Sequence, residues 1–438
     1  MIRRRLLRAS ALLAAGGSSS AQEPTTTPHT FFAPLDGPLV SVDAFVSDRS
    51  GRPVPGLGVE DFELLEDGRT VVISHFYAAP SVAAEEDAAA AAVDAEAAAR
   101  EPAQDLYVVI FFDDTNLARE RRQPALEHLR GFLGSELPPG LKVMLVRYDG
   151  GVRVEQVFTD DLEEVEEALG RVGDAASLSR TLDEDRLLRE IEMAVTGASM
   201  GGLRAGDALA SSASTLLQDI DSYAEQTVQR VRASLADQTS FIRSLSGISG
   251  RKAILLVSDG VEARVGERLY GAWGAAFGSV AGFEVEAQMA FTRAARNDLG
   301  NDFDALGREA NAHRVSLYCL SDVGGARAQA SSAEHRLMDE GGLAVQQAMS
   351  ADALVSSLSA TTGGRTLVNS PALSRQLDEV SEELASYYSL AFEPGHVGDG
   401  AYHRLEVRVR RDDLEIRHRE GYLDVPAGDH LENRTLAA

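Results

Sequence analysis

Two apolar runs that each end in acid constrain this chain more than anything else in it. Residues 106–116 read LYVVIFFDDTN and residues 253–260 read AILLVSDG. An apolar run without alternation is the pattern of a parallel strand covered by helices on both faces. In an open α/β sheet, ligands bind outside the carboxyl ends of such strands. Asp113, Asp114, Thr115, Asn116 and Asp259 fall at that edge. Hard oxygen donors gathered there suit a divalent cation such as Mg²⁺.

Between Asp105 and Ser386, strand-like and helix-like segments alternate, which predicts a mostly parallel sheet flanked by helices. Leu106–Asp113 is its first strand, followed by a helix over 117–135. Leu141–Tyr148 and Val152–Phe158, separated by Asp149-Gly150-Gly151, predict an antiparallel hairpin at one edge. Helices are expected over 160–171, 206–246, 300–312 and 371–386, the last with Leu373, Leu377, Val380 and Leu384 at helical spacing. Ala253–Asp259, Val315–Leu320 and Arg365–Val368 supply further strands. Two Gly/Ala-rich insertions, 262–298 and 322–350, carry no readable pattern.

The flanks are β. Residues 38–78 hold three or four short strands punctuated by Gly51-Arg52-Pro53 and Glu66-Asp67-Gly68, and residues 387–425 hold three more. Neither set can bury a core alone. The economical arrangement is one β-sandwich made from both, with the α/β domain of 105–386 inserted between them. Residues 79–104, rich in Ala and Glu, read as a linker and 426–438 as a tail.

Residues 1–21 resemble a secretory signal peptide. Arg3, Arg4, Arg5 and Arg8 precede a short apolar stretch and the small residues Ser19-Ser20-Ala21. No other segment approaches the length needed to span a bilayer. The single cysteine, Cys319, excludes a disulfide framework and lies in an apolar run, where a buried, inert thiol is expected. Together these point to a periplasmic or secreted bacterial protein. The net charge of −26 argues against nucleic acid, whose phosphates need basic patches.

The order of motifs resembles the von Willebrand factor A-type domain, and more closely the bacterial VWFA-related proteins common in acidobacteria. The resemblance rests on FFDDTN at 111–116, KVMLVRYDGGVRVEQVFTDD at 142–161 and GRKAILLVSDG at 250–260. It also rests on ATTGGRTLV at 360–368, EGYL at 420–423 and GRPVPGLGVEDFELLEDGR at 51–69. It implies a metal-ion-dependent adhesion site: Asp-x-Ser-x-Ser after the first strand, a Thr on a later loop, and an Asp closing the fourth strand. Asp113 takes the first position and Thr115 the second, but the third falls on Leu117, which cannot ligate a metal. Asn116, one position off, is a substitute donor. Asp259 takes the closing position, and Thr181 is the loop candidate, with Ser177 and Ser179 as alternatives.

Other readings of these residues are blander. Asp113 and Asp114 can simply cap the following helix. As paired carboxylates, Asp113, Asp114 and Asp259 would suit a hydrolase, yet no nucleophile elbow, Walker loop or His-Glu-x-x-His helix accompanies them. His403 and His418 lie in the terminal strands, where surface positions are expected. Trp273 and Tyr270, inside the first insertion, are expected to fill a local core. The functional expectation is an exported, non-enzymatic, adhesion-type module that binds a protein partner at the carboxyl edge of the sheet through a degenerate Mg²⁺ site. The alternative is an envelope scaffold with no metal.

Overall fold

The computed structural model describes residues 31–32, 39–79, 105–117, 119–134, 140–174, 181–200, 205–280, 282–321, 353–368, 372–396 and 398–424. Residues 1–21, 80–104, 322–350 and 425–438, with the readings placed on them, lie outside this set.

The strands are β1 (Phe31–Phe32), β2 (Val40–Asp48), β3 (Phe62–Glu66), β4 (Arg69–Val71) and β5 (His75–Ala78), then β6 (Leu106–Asp113), β7 (Leu141–Tyr148) and β8 (Val152–Thr159). They continue with β9 (Arg251–Val257), β10 (Val315–Ser321), β11 (Thr366–Val368), β12 (Tyr388–Phe392), β13 (Tyr402–Val409), β14 (Leu414–His418) and β15 (Gly421–Leu423). The central sheet has the order β11-β10-β9-β6-β7-β8 and is parallel except for β8, which pairs with β7 as the antiparallel edge hairpin the sequence predicts.

The two apolar runs, β6 and β9, are adjacent at its centre, and every residue of β9 is buried. Their side chains alternate between two cores, as the strand period of two requires. Val109, Phe111, Ile254 and Leu256 join one cluster, with the helices Thr181–Met200, Ala205–Ser244 and Glu267–Phe277. Val108, Ile110, Phe112, Leu255 and Val257 join the other, with the helices Arg119–Leu133, Leu162–Asp174 and Leu373–Ala385. The fold is therefore α/β with helices on both faces.

The flanking strands form the sandwich. One sheet has the order β1-β5-β12-β2-β14 and the other β15-β13-β3-β4, so strands from both ends of the chain interleave. Val42, Leu64, Phe76, Leu390, Phe392 and Val407 are among the side chains of its core.

Two features were not readable in the sequence. The first insertion holds the helices Glu267–Phe277 and Glu284–Arg296, and a further helix, Thr181–Met200, precedes the long helix Ala205–Ser244. Trp273 and Tyr270 are buried in local core as expected, the indole donating to the Ala213 carbonyl at 2.8 Å. Cys319 is buried, and burial pushes its thiol up to about 12, which keeps it protonated.

Basic side chains fasten the two parts together. Arg251, at the start of β9, donates to the Leu384 carbonyl at 2.6 Å, pairs with Asp43 at 3.3 Å and stacks on Tyr387, 3.6 Å from its centroid. Arg419 donates to the carbonyls of Asn311 at 2.6 Å and Ser41 at 2.7 Å. Among the described residues, no helix is long and apolar enough to cross a membrane.

Candidate functional site

Strands β6 and β9 sit where the strand order reverses: the chain runs to β7 on one side of β6, and from β9 to β10 and β11 on the other. A crevice at such a switch point is where open α/β sheets hold ligands. Asp113 ends β6, and Asp259 follows β9 by two residues. The Asp259 amide donates to the Asn116 carbonyl at 2.8 Å, which locks the two loops together.

Asp113 is buried and closes a tight turn. Its Oδ1 accepts from the Thr115 hydroxyl at 2.6 Å and the Thr115 amide at 3.2 Å, and its Oδ2 accepts from Asn116 Nδ2 at 2.8 Å. Burial pushes its carboxyl above the usual range, against the lowering effect of those hydrogen bonds.

Asp114 points the other way, as strand alternation requires. It is fully buried, accepts from the Arg122 guanidinium, and accepts from Arg147 at 3.4 Å. The adjacent carboxylates thus belong to different networks. Asp259 pairs with Arg121 at 3.0 Å, a contact between side chains that are 17% and 24% exposed.

Leu117 is 1% exposed and belongs to the core cluster that contains Phe112 and Leu126. The position where the resemblance expects a hydroxyl ligand is therefore a core position. Thr181 begins the helix Thr181–Met200, but its side chain lies outside the described set, as do Ser177 and Ser179. Glu184, one turn on, lies 3.6 Å from Arg268, and its charge helps burial push the Glu262 carboxyl up to about 8. The first turn of that helix accordingly stands beside the loop that follows Asp259.

The donors meet an octahedral cation only in part. Asp113, Thr115 and Asp259 bring side-chain oxygens to the carboxyl edge, whereas Leu117 is withdrawn into the core and a guanidinium already neutralises Asp259. The cleft lined by Asp113, Asn116, Ser258 and Gly260 measures about 20 Å³, space for one water. Sequence reasoning missed Arg121, because its pairing with a residue 138 positions away leaves no local pattern.

The terminal histidines are a correction. His403 is buried, not at the surface, and His418 is partly buried, its Nε2 accepting from the Val407 amide at 3.1 Å. The signal was present: His403 lies in phase with Leu405 and Val407, which face the sandwich core. His403 and His396 stack with centroids 3.8 Å apart, beside Asp399 and Asp424.

No protein-family model matches the sequence, and no curated protein matches it. Among solved structures, the chain is similar to an aerotolerance-related membrane protein from Bacteroides fragilis NCTC 9343, at 11% identity and TM-score 0.29, over 64% of this chain and 98% of that one. It is similar to the PilB minor pilin from Streptococcus sanguinis at 10% identity and TM-score 0.31, over 65% of this chain and 62% of the pilin. It is also similar to proximal thread matrix protein 1 from the mussel byssus with a zinc-occupied MIDAS motif, at 9% identity and TM-score 0.28, over 67% and 49%. The chain thus spans less than two thirds of the pilin and about half of the byssus protein.

Proposed function

We propose that this chain is an exported, non-enzymatic binding module of the von Willebrand factor A type that recognises a protein partner at the carboxyl edge of its central sheet. The observation that carries the reading is the locked pair of loops at the switch point, Asp259 N to Asn116 O at 2.8 Å. It holds Asp113, Thr115, Asn116, Asp259 and Arg121 together at that edge, around a cleft of about 20 Å³. Preorganised polar groups on a rigid frame are what a recognition surface needs. The cation position is degenerate in this reading. Arg121 supplies the positive charge beside Asp259, and an acidic group of the partner would meet it there.

Two measurements test this. In calorimetric titration of the full chain, Mg²⁺ or Mn²⁺ gives little or no heat with the wild type. Heat that disappears in Asp113→Ala would mean instead that the ion competes successfully with Arg121. In a pull-down from bacterial envelope extract, the wild type retains a protein that the double variant Thr115→Ala/Arg121→Ala loses. Equal retention by a folded double variant would move recognition away from this edge. The withdrawal of Leu117 into the core favours a second reading, a metal-free envelope scaffold. Capture of nothing by either protein would support it.

A further inference from the structure

A second cluster of ligating side chains lies in the sandwich, and the reading of the sheet edge does not bear on it. His396 and Asp399 come from the loop between β12 and β13, His403 from β13, and Asp424 from just after β15. One ligand atom from each lies within 4.8 Å of all the others. Three of these separations are 3.1 Å for His396 Nδ1 to Asp424 Oδ2, 3.2 Å for His403 Nε2 to Asp399 Oδ2, and 3.9 Å for His396 Nδ1 to Asp399 Oδ2. Four ligands bound to Zn²⁺ at about 2.0–2.1 Å stand about 3.3 Å apart along the edges of their tetrahedron. Two of those three separations are already of that scale, and the stacked rings would turn to bring both nitrogens to one ion.

A separate observation concerns the far side of each imidazole. His403 Nδ1 is hydrogen-bonded to Asp67 Oδ2 at 2.9 Å, whereas His396 Nε2, buried and without a hydrogen-bond partner among the described residues, lies 3.3 Å from Glu66 Oε1 in ion-pair range only. Those carboxylates are themselves held: Glu66 accepts from the Tyr422 hydroxyl at 2.5 Å, and Asp67 accepts from the Arg404 amide at 2.9 Å. The Asp67 carboxylate behind His403 fixes that ring and strengthens its opposite nitrogen as a donor, the usual outer layer of a protein metal centre. Four acids, Glu66, Asp67, Asp399 and Asp424, also surround two stacked rings, and a divalent cation would offset that charge.

We infer that His396, Asp399, His403 and Asp424 bind a structural Zn²⁺ ion, with Asp67 as its outer layer behind His403. Two imidazole nitrogens and two carboxylate oxygens suit four-coordinate Zn²⁺, whereas Mg²⁺ prefers six oxygens. Four protein ligands leave no open position, so the site is structural. It ties the hairpin turn at Glu66–Asp67 to the final strands of the chain.

The test uses the full chain stripped with a chelator and titrated with Zn²⁺, together with Co²⁺, whose visible absorption reports four-coordinate geometry. One Zn²⁺ per chain and a raised unfolding midpoint are expected. Asp424→Asn should weaken binding at least about 100-fold, and Asp67→Asn about tenfold or more, in line with losses seen on removing an outer partner. Asp113→Ala should bind as the wild type does. No binding and no thermal shift in the wild type would overturn the inference, and that result does not depend on any variant folding. Binding kept in Asp424→Asn but lost in Asp113→Ala would equally overturn it, by placing the ion at the sheet edge.

Discussion

The two ends of the central sheet hold their buried charge differently. At the carboxyl end, Asp113, Asp114 and Asp259 are held by a hydroxyl, an amide and three guanidinium groups, one of them the buried Arg122. At the amino end, bases are held by main-chain carbonyls. Arg251 donates to the Leu384 carbonyl, Lys252 to that of Ile248 at 3.0 Å, and Arg419 to that of Asn311. Leu384 and Asn311 lie in the last turns of the helices Leu373–Ala385 and Gly300–Ala312. Alternating strand–helix wiring brings helix C-termini, with their unpaired carbonyls, to the amino end of a parallel sheet, and helix N-termini to the other. The topology therefore favours acids at the carboxyl end and bases at the amino end. Acid at the tips of β6 and β9 is favoured by the fold before any ligand is considered.

This contrast can be broken from either end. Removing Arg122 should have the largest effect, because Asp114 is fully buried and, among the described residues, would be left with the longer contact to Arg147. Arg122→Ala is expected to lower stability by about 3–5 kcal/mol in chemical denaturation, as for other broken buried pairs. Leu117→Ser restores the hydroxyl that the resemblance expects at the carboxyl end. It also empties a core position, so a loss of about 2–4 kcal/mol is expected, with little gain in Mn²⁺ affinity by titration.

The amino end sharpens the comparison through pH. Burial, with Arg314 and Arg419 nearby, pushes the Lys252 ammonium down from 10.5 to about 8. A base whose folded value is depressed destabilises the fold while it is charged in both states. That burden is complete below pH 8 and is relieved as pH rises from about 8 to 10.5. Lys252→Met should accordingly stabilise the protein by about 1–3 kcal/mol at pH 7, since a one-unit shift corresponds to about 1.4 kcal/mol. The gain should shrink by pH 10, as denaturant midpoints at the two pH values would show. The smallest effect belongs to Arg121→Ala. Its pair with Asp259 is partly exposed, and the midpoint should move by less than about 1 kcal/mol.

What the sequence disclosed follows the range of each interaction. The burial of β6 and β9, the β7–β8 hairpin and the helix carrying Leu373, Leu377, Val380 and Leu384 all leave periodic marks within a few residues. Asp113, Thr115 and Asn116 were legible for the same reason, since their hydrogen bonds run over two or three positions. Arg121 with Asp259 and His403 with Asp67 were not, because each pair is joined only by the fold. Helix Thr181–Met200 was obscured in another way. Its apolar contribution to the core is a short set, Leu187, Leu188 and Ile191, within an otherwise polar stretch.

Interleaving the two ends of the chain also sets a schedule for its synthesis. In the sandwich, β2 lies between β12 and β14, with Val42 opposite Leu390 about 350 positions later in the chain. At roughly 5–20 residues per second, the ribosome leaves β2 without either neighbour for about 20–70 s. An apolar strand with both edges open is a template for the wrong partner. Asp43 and Asp48, spaced along VSVDAFVSD, put charge into that strand while it waits.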